Sequence, residues 1–350
     1  MAPPDSIGSR PDVTVVMPIR NEGAFLAKSL GAVLAQDYPA DRLEVIVADG
    51  MSDDGTRESV EELRRSHSNL VLLDNSGRIV ATGLNAAIRR ARGRFVVRVD
   101  GHTEIAPDYV RRCVEALERT GADNAGGRMN AVGHGAFGEA VALATSSPFG
   151  VGGARFHYSE REEWVDTVYL GAWRREVFER IGVFDEELVR DQDDEFNYRL
   201  RANGGRVLLT PAVKSVYTVR GRPARLWKQY FEYGLWKVRV LQKHPRQMQP
   251  RQFVPPAFAA ILAALAAAAP FAAPARWGLA GLAAVYGLAN LGAAASVVRR
   301  RPALLPLVML SFAILHLSYG FGFLAGLIRF AGRWAEPRRG KAVIAGGGAR

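Results

Sequence analysis

Short apolar runs alternate with longer segments of helical period along the first part of the chain. "VTVVMP" (Val13 to Pro18), "LEVIVAD" (Leu43 to Asp49), "LVLLD" (Leu70 to Asp74) and "RFVVRVD" (Arg94 to Asp100) predict buried strands. Between them, "EGAFLAKSLGAVLAQ", "TRESVEELRRSH" and "RIVATGLNAAIRRARG" predict helices, the last closed by a glycine. Repeated strand-helix-strand units of this size imply right-handed crossovers, hence an α/β fold with a mostly parallel sheet and helices on both faces. Ligands of such sheets sit outside the carboxyl ends of the strands. Each of the four strands ends in polar or turn-forming residues: "PIRNE", "ADGMSDDGT", "DNSGR" and "DGHTE". One edge therefore gathers Asp49, Asp53, Asp54, Asp100 and His102. Ordinary polar turns account for one such loop; four on one edge predict a ligand cleft.

From about Phe253 the pattern changes to uncharged runs of spanning length: "FVPPAFAAILAALAAAAPFAA", "WGLAGLAAVYGLANLGAAASVV" and "ALLPLVMLSFAILHLSYGFGFLAGLIRF". These are candidate transmembrane helices, the first two rich in Ala and Gly that permit close packing. If they form a hairpin, Arg299 to Arg301 lie on the cytoplasmic side, as the positive-inside rule asks. A full third span would export the basic tail around Arg333, Arg338, Arg339 and Lys341; the alternative is a fold-back at "YGFGF". The expectation is three hydrophobic segments, with the side of the C-terminus open. "MAPPDSIGSRPDVTVVMP" lacks the apolar core of a signal peptide, so the first 240 residues are expected in the cytosol.

The formal net charge of +11 suits nucleic acid, anionic lipid or a phosphorylated substrate, and its distribution decides. Basic residues crowd the flanks of the apolar third, in "WKVRVLQKHPRQMQPRQ", "VVRRRPA" and "RFAGRWAEPRRGK", a membrane protein's pattern. No nucleic-acid recognition motif is present, and nucleic acid is excluded as a partner. "RPARLWKQYFEYGLWKVRVLQKHP" mixes Trp227, Tyr230, Phe231, Tyr233 and Trp236 with Lys and Arg, which predicts an interfacial helix on anionic lipid; packing beneath the α/β part is the alternative. One cysteine excludes a disulfide framework, and Cys113, with Val110, Val114 and Leu117 at helical spacing, reads as buried.

In "RVDGHTE", Asp100 and His102 stand at i and i+2 after a strand, with Gly101 leaving the backbone open to close approach. A carboxylate and an imidazole so placed suit one divalent cation, with positions left for a diphosphate. A capped turn is the competing reading.

Taken together, "VVMPIRNEG", "VIVADGMSDDGT", "GRIVATGLNAAIRRARG" and "RVDGHTEI" resemble the ordered motifs of family 2 glycosyltransferases, which have the GT-A fold, with "DGH" in the place of the DXD motif. "FGVGGARFHY", "VDTVYLGAWRREVFERIGVFDEELVRDQDDEFNYRLRANGGRV" and "WKQYFEYGLWK" are similar to the ExoA-like branch, and the resemblance covers residues 12–245. It implies that Pro18, Arg20, Asn21 and Glu22 border the base and ribose of a nucleotide sugar. Asp49 matches the aspartate that recognises the base, Asp54 the second acid of that loop, and Arg78 a basic residue near the nucleotide. Asp100 and His102 would bind Mg²⁺ or Mn²⁺, His standing in place of the second aspartate.

The resemblance also aligns the family's base with Asp193 in "RDQDDEFNYRLRANGG", Gln192 replacing the usual Glu, while Asp191, Asp194 and Glu195 compete for the role. A sugar hydroxyl is a poor nucleophile, and a carboxylate that takes its proton suits single in-line displacement with inversion. Gly171, Ala172 and Trp173, expected to follow a strand "WVDTVYL", and Arg155 in "VGGARF" are expected on the acceptor side. The absence of a Q-x-x-R-W motif argues for adding one sugar per acceptor. The expected organisation is a flexible arm at 1–11, a GT-A domain at 12–225, an amphipathic interfacial segment at 226–252, a transmembrane region at 253–330 and a basic tail at 331–350. The function implied is transfer of a hexose from a nucleotide sugar, UDP-linked, to a lipid-linked or polysaccharide acceptor at the cell membrane. A polyprenyl-phosphate sugar synthase and an inactive membrane sensor or scaffold are the rivals.

Overall fold

The computed structural model describes residues 11–299 and 301–335. Nearly all of the expected N-terminal arm, Arg300 and the tail carrying Arg338, Arg339 and Lys341 lie outside the described residues. The chain forms two units: residues 11–129 with Ser159–Val216, and Asn130–Tyr158 with 217–335.

In the first unit, the four expected strands are β1 (Val13–Ile19), β2 (Leu43–Asp49), β3 (Leu70–Asp74) and β4 (Phe95–Arg98). They alternate with α1 (Leu26–Leu34), α2 (Thr56–Ser66) and α3 (Val80–Arg90), and pair in parallel in the order β3-β2-β1-β4. Every residue of β1 and β2 is buried, which is why both read as mostly apolar runs, with Thr14 and Glu44 hydrogen-bonded to each other inside; edge strand β3 is only partly covered. Register sets Ile19 beside Asp49 and Asp49 beside Asp74, so the following loops leave from one edge.

Beyond β4 the sheet is mixed. Beyond β5 (Thr103–Ile105) and α4 (Tyr109–Thr120), the chain makes β6 (Asn124–Val132), α5 (Gly135–Thr145) and α6 (Pro148–Val151). It returns as β7 (Glu163–Val165), β8 (Tyr169–Arg174), α7 (Glu176–Ile181), α8 (Gln192–Ala202) and β9 (Val207–Thr218). β8 inserts between β4 and β6, antiparallel to both, giving the mixed order β3-β2-β1-β4-β8-β6-β9-β5 with β7 on β9. The single expected strand "WVDTVYL" is thus two strands, broken between Val165 and Tyr169. On one face Leu26, Leu30 and Val33 of α1 and Val110, Cys113 and Leu117 of α4 share a core with Val15, Val45 and Val97; α3 covers β1 and β2 on the other. Burial pushes the Cys113 thiol pKa up, consistent with packing and not with a nucleophile.

In the second unit, α5 and α6 join α9 (Pro223–Lys243), α10 (Val254–Ala268), α11 (Ala273–Val297) and α12 (Leu305–Arg329). Among the described residues, three helical stretches are long and apolar enough to cross a membrane: Pro250–Ala268, Ala273–Val297 and Pro302–Arg329. They are not equivalent. α10 and α11 turn Ile261, Val285 and Leu288 outward, more than half exposed, whereas α12 is half buried among α5, α6, α9, α10 and α11.

Three expectations change here. α12 runs unbroken through "YGFGF", so no fold-back forms there; a Cβ at Gly322 would strike the carbonyl of Phe231 on α9, so these glycines serve close helix packing. The helix expected from 226 begins earlier, at Pro223, and the α9 face carrying Gly234, Lys237 and Val238 is buried, with Gly234 and Val238 against α12. Residues 130–158, expected within the 12–225 domain, belong with the long helices because Val141 and Ala144 share a core with Phe312 and Leu315.

Candidate active site

The loops after β1 and β2 are tied to each other. Asn21, with a left-handed φ of 54°, donates through Nδ2 to Asp53 Oδ1 (2.9 Å) and accepts from the Asp53 amide (3.1 Å), and its own amide donates to Ser52 Oγ (2.9 Å). The Glu22 amide donates to Thr56 Oγ1 and the Gly23 amide to Asp54 Oδ2. Asp54 also accepts from the Thr56 hydroxyl (2.5 Å) and amide (3.1 Å), and these bonds, the hydroxyl first, hold its pKa below the usual carboxylate range. Asp54 therefore pins one loop to the other.

Asp49 ends β2 as expected but has no exposed surface: Ser52 covers Oδ1 (2.5 Å) and Arg57 approaches Oδ2 (3.4 Å) while pairing with Asp74 (2.8 Å). A base reaching Asp49 has to move one of them. Pro18 is buried under α3, its Cβ close to Gly83. Arg20 lies over Gly50 and donates to the carbonyl of Arg78 (3.3 Å), so two exposed arginines meet on the rim.

At the end of β4, the Arg98 guanidinium grips Asp100 with two bonds, Nε to Oδ1 (2.7 Å) and Nη2 to Oδ2 (3.0 Å). The turn at Gly101 passes so close to Ile19 and Glu22 that a Cβ there would meet the Glu22 side chain at 2.8 Å. Glu22 Oε1 lies 3.0 Å from His102 Nδ1, which fixes the imidazole beside the first loop. Among the described residues, no group of three or more His, Cys, Asp or Glu is placed to hold a metal. Asp100 and His102 fit a divalent cation only as a partial set, completed by a ligand's oxygens, and Asp100 has first to leave Arg98.

Asp193 stands in the first turn of α8, its Oδ1 accepting the Asp194 amide (2.9 Å). Part of its surface is open, yet protein atoms surround it: burial raises its pKa, Arg98 opposes the rise, and Asp194 and Asp100 add to it. Arg98 in turn feels Asp100 and then Asp193 as its nearest negative charges. The fold has brought the end of β4 and the start of α8 to one guanidinium. Of the rival acids, Glu195 is buried and gripped by Arg199 (2.6 and 2.9 Å), which removes it as a base.

The model for the glycosyl transferase family 2 domain matches residues 14–182. The succinoglycan biosynthesis protein ExoA of Rhizobium meliloti (strain 1021) is 30% identical over 329 residues, covering 92% of this chain and 96% of that one. The chain is a family 2 glycosyltransferase. A dolichyl N-acetyl-alpha-D-glucosaminyl phosphate 3-beta-D-2,3-diacetamido-2,3-dideoxy-beta-D-glucuronosyltransferase of Methanococcus voltae is 26% identical, over 66% of this chain and 74% of its own. Among solved structures, the mannosyltransferase PcManGT from Pyrobaculum calidifontis, in complex with GDP-Man and Mn²⁺, superposes with a TM-score of 0.60 at 24% identity, over 90% of this chain and 87% of that one, and shares the GT-A fold.

Within this glycosyltransferase the acceptor-side expectation needs correction. Gly171 and Trp173 do not follow a strand; they lie inside β8. Trp173 is 1% exposed, edge-on to Phe178, Phe184 and Phe196 at 5.7–5.9 Å, so it supports α8 through Phe196 and offers no face to a sugar. Gly171 adopts φ 103°, where a Cβ would strike the Trp173 ring. Arg155 belongs to the second unit, exposed on the 3-10 turn Arg155–His157.

Two features of the glycosyltransferase escaped sequence reasoning. Arg98 is one; its signal was a cation inside the otherwise apolar run "RFVVRVD". The other is a buried amide chain, Asn124 Nδ2 to Asn197 Oδ1 (2.8 Å) and Asn197 Nδ2 to Thr167 Oγ1 (2.8 Å), which ties α8 to β6 and so sets where Asp193 stands. Nothing in the local sequence marks those asparagines.

Proposed function

We propose that this glycosyltransferase moves a hexose from a nucleotide sugar, UDP-linked, to a lipid-linked or polysaccharide acceptor with inversion and with the help of a divalent cation. The observation that carries this reading is Arg98, which grips Asp100, the donor-side carboxylate, with two bonds and feels the charge of Asp193, the candidate base. A carboxylate whose pKa is raised by burial is better matched to taking a proton near neutral pH. Asp193 accepts the acceptor hydroxyl's proton as its oxygen attacks the anomeric carbon and the bond to the nucleoside diphosphate breaks. Asp100 and His102 would hold Mg²⁺ or Mn²⁺. Bound there, the cation neutralises charge that develops on the leaving diphosphate. Arg20, Asn21, Glu22 and Arg78 border the nucleotide, Asp49 lies beneath its base, and Asp54 holds the loop that does so.

The names of similar proteins lend weight to parts of this. PcManGT was solved with GDP-Man and Mn²⁺, and the Methanococcus voltae relative is named for a sugar-bearing dolichyl phosphate. The three long apolar helices suit a multi-pass protein of the cell membrane with its first unit in the cytoplasm, and α9, with Trp227 39% exposed, suits contact with membrane lipid. A panel of nucleotide sugars, assayed for donor hydrolysis and for transfer onto polyprenyl-diphosphate sugar, tests the reading. UDP-sugars are expected to be consumed and EDTA to suppress UDP binding. Transfer onto bare polyprenyl phosphate alone would instead select the polyprenyl-phosphate sugar synthase.

A further inference from the structure

Arg98 has no role in the proposed transfer, although it is buried beside Asp100 and feels the charge of Asp193. It is 5% exposed, and its Nε and Nη2 occupy both oxygens of Asp100. Its remaining nitrogen, Nη1, is buried with no protein partner. A forked pair between guanidinium and carboxylate is among the stronger polar contacts, and a buried N–H without an acceptor is costly to leave so. Arg98 thus has one strong contact to give up and one unmet donor to satisfy.

The fork takes one lone pair on each Asp100 oxygen and sets a positive charge beside it, which weakens its hold on a cation, so a cation and Arg98 compete for Asp100. Resting on the proposed function, we propose that Arg98 is a positioning residue that holds Asp100 until the donor and its cation arrive, then yields it and turns to Asp193. Its charge stays between the two carboxylates throughout. Lysine at this position would keep the charge and lose the fork.

Mn²⁺ binding to the full-length protein in detergent, followed by electron paramagnetic resonance without and then with UDP, tests this apart from turnover. Arg98→Met is expected to bind Mn²⁺ about ten-fold more tightly than wild type without UDP, roughly what the loss of one such competing contact amounts to. Arg98→Lys is expected to fall between them, and it carries the test if Arg98→Met does not fold. Arg98→Met with Asp100→Asn should lose the gain. Transfer by Arg98→Met should drop at least about 100-fold in kcat, with UDP affinity retained. A purely structural Arg98 would lower the melting temperature and leave Mn²⁺ affinity at the wild-type value in folded Arg98→Met and Arg98→Lys, which overturns the proposal. If Asp100→Asn binds Mn²⁺ with UDP as well as wild type does, the metal reading itself fails and the proposal falls with it.

Discussion

The two halves of the polar edge close their hydrogen bonds differently. Between the loops after β1 and β2, Asp49, Asp53 and Asp54 each accept from protein donors, and Asn21 meets Asp53 with both ends of its amide. At the end of β4, one guanidinium grips Asp100, feels the charge of Asp193 and still has an unpartnered nitrogen. A saturated network holds a shape; an unsaturated one is poised to accept a ligand or a proton. Under the proposed function, that contrast makes the first half a frame for the nucleotide and the second half the place where bonds change.

Removing the base should give the largest effect. Asp193→Asn keeps size and hydrogen-bonding reach but cannot take a proton, and kcat for transfer should fall by about 1000-fold, within the range general bases supply. UDP affinity by calorimetry should stay near wild type, because the nucleotide loops lie on other strands. Full activity in this variant would make α8 a support and end the contrast. Asp100→Asn should rank next. It leaves the buried Arg98 charge without its forked partner, and kcat/KM for the donor should fall by about 100-fold, with weaker metal-dependent UDP binding. Unchanged metal dependence would detach the end of β4 from the donor.

On the frame side the loss should be milder. Asn21→Ala removes two exposed hydrogen bonds to Asp53, so stability should drop by about 1 kcal/mol in denaturant titrations. Donor KM should rise a few-fold at nearly constant kcat. A collapse of kcat would mean that the frame takes part in chemistry.

How far the sequence revealed this division follows from the range of the interactions. β1 to β4 were legible because strands in the middle of a parallel sheet are mostly apolar, and "LEVIVAD" and "LVLLD" end where β2 and β3 end. The loops were legible for the same reason: their polar residues break that run. The rest of the sheet was not, since the reversed strand β8 owes its place to pairing with β4 and β6, contacts far apart in the chain. Trp173 was expected on the acceptor side because nothing nearby in sequence says that Phe178, Phe184 and Phe196 close around it. "YGFGF" looked like a break, since glycine weakens an isolated helix, yet Gly322 is where α9 comes near enough to make up the loss. In the candidate site, Asp100 and Asp193 could be named singly; that Arg98 joins them depends on the placement of α8 by Asn124 and Asn197.

The smallest expected effect concerns stability and separates the two halves without any assay of transfer. Burial raises the Asp193 pKa above its ordinary 3.8, so between that value and the raised one the folded protein holds a proton that the unfolded chain has released. The folded state then binds more protons than the unfolded state, and stability declines as pH rises through this window, the penalty being complete above it. Asparagine carries no such penalty. Asp193→Asn should therefore melt slightly above wild type at pH 7, and the difference should vanish below 3.8, where both side chains are neutral. Asp54→Asn should show the opposite sign, because hydrogen bonds lower the Asp54 pKa: the wild-type carboxylate stabilises above its ordinary value, and that advantage is lost as pH falls through the lowered one. Thermal melts of the two variants across pH are thus expected to diverge in opposite directions. If both shift the same way, the base position is built like the frame, and the site's division into a holding half and a reacting half is wrong.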